Sequence, residues 1–290
     1  MREIMKLRTA GKRAPVIIWW LLVISLLVSL TGGDCLSAPD AATIKIGGTG
    51  GALGAMKELA VAFQKNHPGA TVIIIPHLGT RGGISAVLKG AIDIGIAGRH
   101  LTPQELTQGL REVEYARSPF VFATRSNGQR MDLTLDMIAG IYRGDVKKWP
   151  DGTPVRPILR PEGDVDTVML KAISPSMRDA VNRAEAREGM TIALDDQENC
   201  DMLEKITGAF GTSTLTQIIS EKRFITILPL NGVTPGIKAM VAGSYPYYKP
   251  FQIVTAPKSS PLLQEFIAFV KSPAGTKILG RTGNHVQGAW

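Results

Sequence analysis

The chain has 290 residues, 44% hydrophobic and 20% charged, a composition that excludes a disordered protein and leaves room for one large domain or two lobes. Its net charge is +8, but the first 37 residues hold five of the 33 basic and two of the 25 acidic residues, which leaves +5 for the remainder. No lysine or arginine run is dense enough for nucleic acid, so the excess suits a small anion or a solvated surface.

The chain opens with Arg2, Lys6, Arg8, Lys12 and Arg13, continues with the uncharged run "VIIWWLLVISLLVSL", and turns small and polar at "TGGDCLSA". That order predicts a secretory signal peptide over residues 1–37, with an uncleaved anchor as the alternative, and the mature protein is expected outside the cytoplasm. Asp34 precedes Cys35 where a lipid-attachment motif needs a small residue, so a lipid anchor is not expected. Cleavage before Ala38 would remove Cys35, whereas cleavage before Asp34 would leave it free to pair with Cys200 in an oxidising compartment.

Strand and helix patterns then alternate. "TIKIGG" reads as a strand, and "ALGAMKELAVAFQKNH" as a helix with Leu53, Met56, Leu59, Ala60 and Phe63 on one face. "TVIIIPHL" is apolar enough for a strand buried on both sides. "GTRGGISAVLKG" is a second glycine turn leading into a helix, and "AIDIGIAG" a third strand, so the opening predicts a parallel α/β layer. "YARSPFVFAT" predicts a strand, "LTLDMIAGIYRG" a helix started by Thr134 and Asp136, and "VRPILRPEGDVDTVMLKAI" a strand, an irregular turn and a helix. Ser174 to Gly208 is polar and mostly helical in pattern. "FITILPLNG" and "YPYYKPFQIVTAP" predict strands separated by the short helix "PGIKAMVAG", and "PLLQEFIAFVKSPAGTKILGRTG" closes the chain as two helical pieces.

The glycines of "IKIGGTGGALG" fit neither nucleotide motif. A phosphate loop of the G-x-x-x-x-G-K-[ST] kind needs a lysine and a hydroxyl after its glycines, and Lys57 lies inside the helix instead. A dinucleotide fingerprint needs glycine three residues after Gly50, where Leu53 stands. A strand that ends in glycine and feeds a helix still aims free backbone N–H groups and the positive end of the helix dipole outward. Three such turns occur, at Gly47 to Ala52, Gly79 to Gly83 and Arg160 to Thr167, and their convergence would make an anion site. Ligand-free tight turns are the other reading of each one.

Six segments, in order, resemble the periplasmic phosphate-binding proteins of ABC importers: "GTGGALGAMKELAVAFQ", "LGTRGGISAVLKGAIDIGIAGRHLT", "LTLDMIAGIYRGDVKKW", "ITGAFGTSTL", "GSYPYYKPFQIVT" and "FIAFVKSPAGTKIL". The resemblance implies a two-lobed α/β binding protein of the second type, with two chain crossings and the ligand in the cleft. One lobe would take residues 43–125 plus 241–290 and the other 126–240. It implies backbone donors at Gly50 and Gly51, with Ala52 and Leu53 where the family has a hydroxyl; a hydroxyl at Thr80 flanked by Arg81 and Gly82; and Gly98, followed by Arg99, where the family has aspartate or serine. The third turn supplies Arg160, Glu162, Gly163 and Thr167, but Asp164 and Asp166 stand where donors are expected. Each carboxylate would repel a bound oxyanion by roughly 4 kcal/mol at ~4 Å and an effective dielectric near 20, unless it pairs with Arg81, Arg99 or Arg160, or takes a cation or an amine-bearing ligand.

The resemblance further implies a monomeric receptor that hands phosphate, or a similar oxyanion, to an ABC permease, with no cofactor, no metal and no nucleic acid. Molybdate, tungstate or a small organic acid in the same fold, or a sensor without transport, are the alternatives. Histidines 67, 77, 100 and 285 have no metal-ligand spacing, and no nucleophile elbow or zinc motif is present, so an enzyme is not expected. A hydrolase would need Glu162, Asp164 and Asp166 to hold a metal. Trp149 is expected to cap the second-lobe core, and Tyr245, Tyr247 and Tyr248 to line the lobe interface.

Overall fold

The computed structural model describes residues 42–125 and 131–286; the leader and Cys35 lie outside the described residues. Nine strands form the sheet: β1 (Ala42–Gly48), β2 (Ala70–Ile75), β3 (Ile94–Ala97), β4 (Arg111–Arg125), β5 (Arg156–Leu159), β6 (Thr191–Ile192), β7 (Ala209–Thr214), β8 (Ile225–Ile227) and β9 (Tyr248–Thr255). Their order is β2-β1-β3-β9-β4-β7-β5-β6, with β8 also on β4. β1 runs parallel to β2 and β3, and β5 parallel to β6 and β7, whereas β4 and β9 are antiparallel to their neighbours.

Helix α1 (Gly50–Asn66) buries Leu53, Met56, Leu59, Ala60 and Phe63, the stripe its periodicity predicts. Phe63 is fully buried and meets Phe266 edge to face at 5.2 Å. Each such large side chain is worth about 1.5–3 kcal/mol of burial. Helices α2 (Gly79–Leu88) and α3 (Pro103–Thr107) complete the first strand–turn–helix repeats. The second half carries α4 (Leu135–Arg143), α5 (Val165–Ala172), α6 (Pro175–Glu185), α7 (Asp196–Lys205), α8 (Leu215–Ser220) and α9 (Ile237–Val241). α4 starts as read from the sequence, with the Thr134 hydroxyl accepting from the Met137 N–H, and it ends at Gly144 in the left-handed region. α10 (Pro261–Lys271) and α11 (Pro273–Arg281) return to the first half.

Two strands join the halves. Over Arg111 to Pro119, β4 pairs with β9; from Phe120 to Thr124 it pairs with β7 instead. Pro119 and Pro250 lie at this change of partner, where a missing N–H costs the ladder least. Tyr115 and Phe251 belong to a core with Ile46, Met56 and Phe63, whereas Phe120, Phe122 and Tyr245 belong to one with Tyr142 and Phe210. The chain therefore passes from one core to the other inside β4 and again at the start of β9.

Two readings need correction. β2 is not buried on both sides: it is the edge strand, and Ile73 is 43% exposed. Of the three tyrosines, Tyr245 is a core residue whose hydroxyl donates to the Phe120 carbonyl at 2.7 Å. Trp149 packs against the second core, as read, with its indole N–H donating to the Gly208 carbonyl at 3.1 Å.

Candidate functional site

The three glycine turns do gather at the junction of the halves, but protein groups fill much of the space they clear. Gly48 has φ +148°, and a Cβ there would lie 2.0 Å from the Ile96 carbonyl oxygen, so this glycine serves strand packing. Beyond it α1 has no side-chain cap. Its first N–H groups meet a carboxylate from the other half: Asp196 Oδ2 accepts from the Gly51 N–H at 3.0 Å and from the Thr49 hydroxyl at 3.1 Å. Such a contact suits the positive end of a 17-residue helix.

Asp196 is the first residue of α7, whose N-cap Asp195 accepts from the Glu198 N–H at 2.8 Å. The other Asp196 oxygen lies 3.7 Å from the Arg160 guanidinium and 3.8 Å from Lys249 Nζ. Lys249 is paired with Asp166 at 2.6 Å, both side chains 2% exposed. Arg160 reaches Asp164 at 3.0 Å and donates to the Ala193 carbonyl at 3.1 Å, yet its buried Nε has no partner. Two cations and three carboxylates thus form one buried network with a net charge of −1 when all are ionised.

Burial is the largest influence on Arg160, Asp166, Asp196 and Lys249. It raises the Asp166 carboxyl to about 6, with Lys249 pulling the other way. At Asp196 the attraction of Lys249 and Arg160 outweighs burial and holds the carboxyl below its ordinary range. Burial likewise disfavours the Lys249 ammonium, but the surrounding carboxylates, Asp166 foremost, more than offset it and raise its pKa. Asp196 and Lys249 are therefore held in their charged forms at neutral pH.

An open cavity of about 190 Å³ adjoins the network, lined by Thr80, Arg81, Arg160, Gly163, Asp164 and Asp195, with His77 and Leu194 at its edge. The Thr80 hydroxyl accepts from the Gly98 N–H at 3.0 Å, which leaves its own proton to donate. Arg81 donates to the Gly163 carbonyl across the cavity. His77 lies 2.5 Å from Asp195, a further contact between the halves.

The expected site residues therefore divide. Gly51, Thr80, Arg81, Gly98, Arg160, Asp164 and the unforeseen groups around them come together. Gly50 contacts the site only through its carbonyl, which accepts from the Gln197 amide at 3.2 Å. Ala52 and Leu53 are core residues, and Gly82 packs near Leu78. Arg99 is not free for a ligand: Glu105 takes both its terminal nitrogens at 2.8 Å, and this hydrogen bonding holds the Glu105 carboxyl down to about 2. Glu162 is exposed. Thr167 spends its hydroxyl proton on the Arg160 carbonyl at 3.1 Å, so it fixes the arginine's backbone instead of donating to a ligand.

Lys249, Asp196, Thr49 and Gln197 escaped the sequence reading. Lys249 had a signal, since in "KPFQI" it shares the alternation of the buried Phe251 and Ile253 and so had to point inward. It also explains the departure at Gly98, where a Cβ would stand 2.4 Å from Lys249 Cε. A side chain at 98 would force the lysine stem from its present place. Among the described residues no group of three or more His, Cys, Asp or Glu is arranged to hold a metal ion.

A PBP superfamily domain matches residues 36–274. The phosphate-binding protein PstS of Bacillus subtilis is 24% identical over 230 residues, 75% of this chain and 73% of that protein. That of Borreliella burgdorferi is 22% identical over 86% of this chain and 92% of its own length. Among solved structures, a putative phosphate ABC transporter substrate-binding protein from Clostridium perfringens with bound phosphate superposes with a TM-score of 0.73, at 22% identity, over 85% of this chain and all of that one (100%). The molybdate-binding protein of Azotobacter vinelandii gives 0.61 at 15% identity, over 84% of this chain and 100% of its own. These likenesses establish the two-lobed binding-protein fold.

Proposed function

This chain belongs to the PBP superfamily, and we propose that it is a solute-binding protein that captures an oxyanion, phosphate first, for an ABC importer. The observation that carries this reading is Arg160: a guanidinium 5% exposed, beside the cavity, with one buried N–H donor left over after Asp164 and Ala193 are served. A buried donor without an acceptor is costly, and a planar guanidinium is suited to an oxyanion's paired oxygens. The Thr80 hydroxyl on the same cavity offers a second donor. The names of the relatives support phosphate over other oxyanions.

The protein acts outside the cytoplasm, as a monomer, holding the ligand between its lobes and presenting that form to a membrane permease. It binds without catalysis. Among the described residues no helix is long and apolar enough to cross a membrane.

Calorimetric titration of the leaderless protein, stripped of ligand by unfolding and refolding, tests this with phosphate, arsenate, sulfate, molybdate and tungstate. Phosphate heat that is lost or weakened by tenfold or more, about 1.4 kcal/mol, in Arg160→Ala and Thr80→Ala is the expected result. Folded protein that gives heat only with molybdate or tungstate would keep the fold and change the ligand. No heat with any oxyanion would overturn the reading.

A further inference from the structure

The α1 N-terminus, which has no side-chain cap of its own, is taken by a carboxylate of the protein itself. Both hydrogen bonds there end on Asp196 Oδ2, while Asp196 Oδ1 faces Arg160 and Lys249. One carboxylate thereby accepts two hydrogen bonds through one oxygen and faces two cations with the other, as a bound oxyanion would. Its helix, α7, packs through Cys200 and Leu203 in the core of the second half, whereas Ala52 and Leu53 of α1 belong to the first. The contact therefore ties one lobe to the other, and two more run beside it: the Gln197 amide to the Gly50 carbonyl at 3.2 Å, and the Thr214 hydroxyl to the Gly51 carbonyl at 3.1 Å.

Charge sets the consequence. With Asp196 in place the network is already net −1, and an incoming anion would add to it; without Asp196, Arg160 and Lys249 balance Asp164 and Asp166. The unpartnered Arg160 Nε shows in addition that donor capacity remains when Asp196 is seated.

We propose that Asp196 is a resident counter-anion that latches the lobes and that the ligand must displace, so that this residue sets the affinity of the receptor. The proposal rests on the oxyanion reading for its ligand but not for its latch. An oxyanion oxygen takes the place of Asp196 Oδ2 on the Thr49 hydroxyl and Gly51 N–H while its other oxygens reach Arg160. Apparent affinity is then reduced by the fraction of molecules in which Asp196 has left its seat.

The test uses the leaderless protein and its Asp196→Ala variant, with calorimetry for phosphate and small-angle scattering for size. The variant should bind phosphate about tenfold or more tightly. It should also be larger than the parent without phosphate and contract when phosphate is added, while the parent barely changes. Asp196→Asn, which keeps the shape and removes the charge, and Thr49→Val, which removes one donor from the opposite lobe, should move size in the same direction and guard against misfolding of the first variant. Weaker phosphate binding by folded Asp196→Ala, or a variant as compact as the parent without phosphate, would overturn the proposal. Expansion of the variant with no phosphate binding by either protein would support the latch and sink the receptor reading.

Discussion

The Lys249–Asp166 pair permits a stability prediction that can be worked from distances. At 2.6 Å and an effective dielectric near 20 the attraction is about 6 kcal/mol, and the Asp196 oxygen at 3.8 Å adds about 4 kcal/mol. Taking both ions out of water costs several kcal/mol apiece, so the net worth of the pair against an apolar replacement is small. Removing one partner is different, because Asp166 stays buried without its cation. Lys249→Met, which keeps the length of the side chain, should therefore destabilise the protein by about 3–5 kcal/mol at neutral pH. Adding Asp166→Leu should recover most of that loss. Urea unfolding followed by circular dichroism measures both.

The same variant has a pH signature. Burial already raises Asp166 to about 6, and loss of the ammonium raises it further. A carboxyl raised in the folded state contributes stability at low pH that is lost as pH rises through its folded value. The deficit of Lys249→Met should thus shrink on acidification. A single variant that costs under about 1 kcal/mol, or a double variant as unstable as the two singles added, would refute the argument that this is a closed ion pair.

Gly98→Ala should destabilise by about 1–3 kcal/mol through overpacking against the Lys249 stem, and the loss should shrink in the Lys249→Met background, whose thioether bends more freely; melting temperatures of the four proteins check this. Glu105→Gln should cost about 1 kcal/mol by removing the charge of the Arg99 pair, while its amide oxygen still serves the capping box that starts α3. Because the folded Glu105 carboxyl is depressed to about 2, its contribution is present above the ordinary glutamate range and lost as pH falls through that interval. Parent and variant should differ in urea midpoint at pH 7 and converge near pH 2.

The sequence by itself determined most of the elements and their order, though β6, β7, α3 and α8 were not legible in it. The apolar stripe of α1, the Thr134 cap and Gly144 stop of α4, and the two closing helices all rest on periodicity and caps within a few residues of each other. It also determined that three glycine turns would start helices and that Arg160 belonged among them. Tertiary structure decided what those turns face. "TVIIIPHL" looked doubly buried because hydropathy records a residue's own preference and not its place in the strand order, which makes β2 an edge. Arg99 looked like an anion ligand until Glu105, six residues on, met it as the capping-box acid of α3. Asp196 meets Gly51 across 145 residues and Lys249 meets Asp166 across 83, and no local pattern encodes partners so far apart. Charges in a low-dielectric cleft are fixed by proximity in space. The chain alone named Gly51 and Arg160, and only folding revealed Thr49, Lys249 and the carboxylate that reaches all four.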